Sequence, residues 1–83
     1  MNYEITFHCQ ARMKERSIEL EWVMDAVLNP DTTKLSFDGR IHHYKRIAAF
    51  DNRWLHVIVD PKEKPGKLLT AYFDRGVSTG DKS

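Results

Sequence analysis

LEWVMDAVLNPDTTKLSF, residues 20–37, holds the change of period on which the fold turns. Before it ends, Leu20, Val23, Met24 and Val27 recur at i, i+3, i+4 and i+7, the spacing of one helical core face. Pro30 cannot donate to a helical ladder and biases Asn29 toward extended backbone, so the helix stops there. From Thr32 the pattern becomes that of strands, punctuated by turn residues at regular intervals. This predicts strands over residues 32–37, 40–49, 53–60 and 67–73. Asp38 with Gly39 and Asp51 with Asn52 form the first two turns, and PKEKPG, residues 61–66, forms the last loop. Connections this short favour antiparallel neighbours.

Working back toward the start, a first helix is expected over residues 7–16 with Thr6 as its N-cap, broken at Ser17, and a second over residues 19–28. Residues 3–7 alternate weakly, as a short extended lead into the first helix. The expected fold class is α+β: two N-terminal helices packed on a four-stranded antiparallel β-meander. Residues 1–75 make one domain and residues 76–83, rich in Gly, Ser and charge, a flexible tail.

In the third strand Leu55, Val57 and Val59 share one face, which needs the helices as an apolar partner, and Trp54, His56 and Ile58 share the other. In the fourth, alternation groups Leu69, Ala71 and Phe73 against Leu68, Thr70 and Tyr72. The face away from the helices therefore collects Trp54, His56, Thr70 and Tyr72. It also takes one side of the second strand, either His42, Tyr44 and Arg46 or His43 and Lys45.

Eighty-three residues with nine aromatics support one modest core without disulfides, and Cys9 as the single cysteine reads as a small core residue. No apolar run approaches the roughly 20 residues needed to span a bilayer, and no apolar leader follows Met1, so the expected location is cytoplasmic, away from membranes. A net charge of +1 argues against a general polyanion binder, yet the charge is uneven. Residues 40–56 carry Arg40, Lys45, Arg46 and Arg53 against Asp51 alone, with His42, His43 and His56, while Glu19, Glu21 and Asp25 gather on the second helix.

His8, Arg12 and Arg16 stand at four-residue steps on the first helix. At about 100° per residue Phe7, Ala11 and Ile18 lie to one side of that stripe and Cys9 and Met13 nearly opposite. A helix apolar on two sides is expected between two surfaces, with His8 and Arg12 in a half-buried seam. His42 and His43, adjacent in a strand, point to opposite faces and cannot share a metal, and no metal-ligand spacing occurs, so no metal or other cofactor is expected. His8 and Cys9 lie about 100° apart, which disfavours a nucleophile and base pair between them.

TFHCQARMKERSI (residues 6–18), a second helix closing in Asn29 and Pro30, LHVIVD (residues 55–60) and TAY (residues 70–72) together resemble the family known as domain of unknown function 4258. The resemblance spans Ile5 to about Phe73 and is most specific in the first helix, where Cys9 replaces the usual alanine and Ser17 the usual glycine. More remotely, two helices leading into a four-stranded meander are similar to the RelE and barnase group of metal-independent ribonuclease toxins.

That kinship implies RNA cleavage by attack of a ribose 2′-hydroxyl on the adjacent phosphate. His8 then becomes the general acid or base, and Arg12 and Arg16 clamp phosphate oxygens with planar donor forks. Tyr72 donates its hydroxyl to the leaving group or stacks beneath a base, and Thr70 holds an oxygen. Tyr44 and Trp54 stack unpaired bases, Lys45, Arg46 and Arg53 track phosphates, and His56 lines the same substrate face. The plain alternatives are a structural histidine at the helix start, arginines paired with Glu15 or Glu19, and aromatic packing between strands. Two placements of the site stay open: an interior cleft between helix and sheet, or the open sheet face. The expected partner is RNA. The rival function is a non-catalytic module whose basic face docks an acidic protein such as an antitoxin.

Overall fold

In the computed structural model, which describes residues 3–74, the chain runs β1 (Tyr3–Ile5), α1 (Phe7–Glu15), α2 (Leu20–Leu28), β2 (Thr32–Leu35), β3 (Ile41–Ile47), a 3₁₀ turn (Ala48–Phe50), β4 (Arg53–Asp60) and β5 (Gly66–Asp74). The tail expected at residues 76–83 lies outside the described residues. The sheet has five strands in the order β1-β5-β4-β3-β2, with β1 parallel to β5 and every other pair antiparallel. This corrects the expected four-stranded antiparallel meander. The short extended lead is itself a strand, recruited by the backbone of Gly66–Leu68 at the far end of the sequence.

Thr6 joins that edge to the first helix. Its Oγ1 accepts the Cys9 N–H at 3.1 Å, the expected N-cap, while its hydroxyl and its N–H both donate to the Leu68 carbonyl, at 2.9 and 3.2 Å. At the other end of α1, Ser17 takes a left-handed φ of 56° and Ile18 N–H donates to the Met13 carbonyl at 2.9 Å. That is a Schellman closure with buried Ile18 as its apolar contact. A glycine suits such a position because it has no Cβ to strain.

Cys9 and Met13 of α1, then Ile18, Val23, Ala26 and Val27, pack over Ile47, Leu55, Val57, Val59, Leu68 and Ala71 of the sheet. Two expectations fail on this layer. Phe7 is 86% exposed and Ala11 also faces solvent, so α1 buries one side only and no seam encloses His8. On α2 the expected Val23 and Val27 are buried and Met24 packs against the core, but Leu20 is exposed and Ala26 joins the stripe instead. The stripe is rotated toward Trp22, whose ring meets Phe50 at 5.7 Å and Phe73 at 5.9 Å, so the largest apolar side chain of the helix takes the buried flank.

Turn chemistry sets the registers. Asp51 and Asn52 both adopt left-handed backbone, φ 59° and 55°, and close the β3–β4 hairpin as their residue types predict. β2 stops at Leu35 rather than Phe37 because Ser36 is already in the turn, bonded through Oγ to Asp38 and to the Arg40 carbonyl. In β5 the pairing jumps from Ile58 with Thr70 to Val59 with Leu68, leaving Leu69 as an extra residue. The bulge moves Leu68 into the core beside Ala71 and leaves Thr70 and Tyr72 on the opposite face, correcting the expected grouping of those three.

Candidate functional site

Register alone lays a three-by-three array on the face away from the helices. Across β3, β4 and β5 the rungs are Arg46, Trp54 and Asp74, then Tyr44, His56 and Tyr72, then His42, Ile58 and Thr70. Lys34 of β2 pairs with His42 beyond the third rung. Of the two arrangements compatible with alternation, the chain adopts the one with His42, Tyr44 and Arg46 outward. His43 and Lys45 point toward the helices.

His56 sits at the centre, on the face away from the two described helices, and is only 5% exposed. The rings of Tyr44 at 4.3 Å, Tyr72 at 4.8 Å and His42 at 5.0 Å close over it. On the diagonal of the array His42 Nδ1 lies 2.8 Å from His56 Nε2, and His56 Nδ1 lies 3.5 Å from Asp74 Oδ2. The first separation is a good hydrogen bond, while the second is a charge contact too long for an ordinary one. Burial pushes the His56 pKa down and the neighbouring His42 adds to that, with Asp74 opposing, so the ring is held neutral at pH 7.

Proton positions follow from the network. The Asp74 carboxylate favours hydrogen on His56 Nδ1, which makes His56 Nε2 the acceptor and His42 Nδ1 the donor. The other ring nitrogen of His42, Nε2, makes no hydrogen bond with a described residue. The result is an oriented base at the end of a carboxylate–imidazole–imidazole line.

Cations and phenols surround it. The Arg46 guanidinium lies 4.7 Å over Trp54, and Arg16, reaching from the end of α1, donates to the Ala71 carbonyl at 3.3 Å and lies 6.0 Å over Tyr72. Burial raises the pKa of both Tyr44 and Tyr72 and Asp74 raises them further, while Arg16 pulls Tyr72 partly back. Both hydroxyls are therefore proton donors at neutral pH. Among the described residues no group of three or more His, Cys, Asp or Glu is placed to hold a metal ion.

Of the residues singled out from sequence, Tyr44, Arg46, Trp54, His56, Thr70 and Tyr72 share this face, and Arg16 reaches it. Four do not join them, the first being Arg53, which opposes Ile47 in the register of Leu55 on the helix side with its guanidinium 5.7 Å from the Phe50 ring. His8 is exposed on α1 with no hydrogen bond, ion pair or ring contact to a described residue. Arg12 is paired with Glu15 at 2.8 Å. Lys45 turns to the helix side, donating to the Asn29 carbonyl at 2.9 Å near Asp25 and Asp31. His42 was named for this face only as one of two alternatives and was given no role, and Asp74 was not singled out. Their signal was available in the hairpin: Asp51 and Asn52 fix which β3 residues oppose β4, and Asp74 follows Tyr72 at the two-residue spacing of one face.

The family model described as Domain of unknown function (DUF4258) matches residues 5–73. The chain belongs to this family. The match takes in all of the array except Asp74, and within it Ser17 occupies the left-handed closure of α1. No curated protein and no solved structure matches the chain.

Proposed function

We propose that this protein is a toxin-like domain that cleaves RNA on its open sheet face without a metal, as a remote relative of the RelE and barnase group. The observation that carries the proposal is the hydrogen-bonded diagonal of His42 and His56, backed by Asp74, on a face edged by guanidiniums. His42 Nε2 takes the proton of a ribose 2′-hydroxyl, the 2′-oxygen bonds to phosphorus, and the phosphorus to 5′-oxygen bond breaks. Tyr72 gives its proton to the departing 5′-oxygen, leaving a 2′,3′-cyclic phosphate. Arg46 stabilises the charge that grows on the phosphoryl oxygens. Tyr44 and Trp54 offer ring surface for unpaired bases, worth roughly 1–3 kcal/mol per stacked base.

Purified protein incubated with a structured RNA in chelator tests this. Cleavage yielding cyclic phosphate ends, lost in His42→Ala and in Tyr72→Phe, is the expected result. RNA retained without cleavage would leave a binding domain, and capture of an acidic protein with no affinity for RNA would leave the interaction module.

A further inference from the structure

We propose that the cleft where the end of α1 meets the 3₁₀ turn and β5 binds a single nucleotide, its base against aromatic rings and its phosphate between Arg16 and Arg53. The cleft is lined by Arg16, Phe50, Arg53, Tyr72 and Phe73 and has a volume of about 410 Å³. That lies within the roughly 300–1,000 Å³ range of small-ligand sites.

Its walls combine the two chemistries of a nucleotide. Phe50 and Phe73 stack at 4.5 Å and 30°, and Trp22 packs against both from the core side, so this wall is braced. Each guanidinium is set over a ring, Arg53 at 5.7 Å from Phe50 and Arg16 at 6.0 Å from Tyr72. Arg16 is also tethered to the Ala71 carbonyl on the stretch of β5 that β1, paired only to Gly66–Leu68, leaves uncovered. One Nη of Arg16 is spent on that bond, and the Arg53 side chain donates to no described residue. Neither has a carboxylate within ion-pair distance among the described residues, whereas Arg12, Arg40, Lys45 and Lys67 all do. Two planar forks with no carboxylate partner among the described residues, one of them with donors left beyond its bond to Ala71, match a phosphate, which accepts several charge-assisted hydrogen bonds at once.

Tyr72 belongs both to this cleft and to the central rung. A nucleotide held here is thus the neighbour of the linkage cut at His42, a placement that rests on RNA being the substrate. Single-stranded RNA would cross the β5 end of the array and leave one base in the cleft.

The test is a titration of the full chain with adenosine 5′-monophosphate, adenosine and ribose 5-phosphate, followed by ¹H–¹⁵N spectra. The monophosphate should shift Phe50, Arg53, Tyr72 and Phe73. Loss of either the phosphate or the base should weaken binding about fivefold or more. Arg53→Ala, which removes no backbone contact, and Arg16→Ala should each weaken the monophosphate about tenfold, while Arg40→Ala on the distant hairpin leaves it unchanged. Equal affinity for adenosine or ribose 5-phosphate, indifference to both arginine variants, or shifts elsewhere would overturn the proposal. RNA cleavage without monophosphate binding would sink the cleft and spare the cleavage reaction, and monophosphate binding without cleavage would do the reverse.

Discussion

His43 and His56 are buried almost equally on opposite faces of one sheet, 8% and 5% exposed, yet their surroundings differ in kind. His43 lies on the helix side with Nδ1, like that of His56, lacking a hydrogen-bond partner among the described residues, but with no carboxylate facing it there, and burial, then His42, pushes its pKa down. His56 lies beneath tyrosine rings with His42 on one nitrogen and the Asp74 carboxylate facing the other. Burial alone makes a neutral imidazole. Only a line of partners orients that ring so that a proton can be taken at its end. The helix side of the sheet is therefore read as packing and the open side as chemistry.

Replacing the central ring breaks that distinction most severely. His56→Leu keeps volume and burial but removes the acceptor for His42, and RNA cleavage should fall about 10²- to 10⁴-fold, the usual contribution of positioned proton transfer. Circular dichroism should show the fold retained. Next comes recognition: Trp54→Ala removes the ring beneath Arg46 and should cost roughly 1–3 kcal/mol in single-stranded RNA affinity, measured by fluorescence anisotropy.

Much of this layout was legible in the residues. The period change at Asn29 and Pro30, the Thr6 cap, the Asp51 and Asn52 turn and the bounds of β4 rest on local chemistry and recur in the structure. β1 was not legible as a strand because three weakly alternating residues acquire that state only by pairing with Gly66–Leu68. The Leu69 bulge was hidden because adjacent leucines fit either face, and only cross-strand register exposes the slip. The His8 and Arg12 stripe misled for a related reason: helical spacing shows which residues share a face but not whether anything covers it. The diagonal from Asp74 to His42 joins three strands: spacing and turn chemistry can put its members on one face, but only the cross-strand register brings them into contact.

Two smaller effects sharpen the contrast on the helix side. His43→Leu exchanges a buried ring whose Nδ1 has no hydrogen-bond partner among the described residues for an apolar side chain and should stabilise the protein by about 1 kcal/mol in urea denaturation at pH 7. It should also flatten the pH response. Because the folded pKa values of His43 and His56 lie below the ordinary 6.5, the unfolded chain takes up protons first as pH falls. Stability is thus full above 6.5, declines as pH drops from there toward the folded values, and then levels off, with a shallower decline in the variant. Smallest is Ser17→Gly, which relieves the left-handed φ of 56° and should add about 0.5–1 kcal/mol to stability.

The most direct measurement compares adjacent residues that point to opposite faces, His42→Gln and His43→Gln, for RNA cleavage in chelator and for Tm. The account predicts that the first loses at least about 100-fold in rate with Tm little changed, and that the second keeps its rate while its Tm shifts. Equal losses, or a loss confined to His43→Gln, would contradict it.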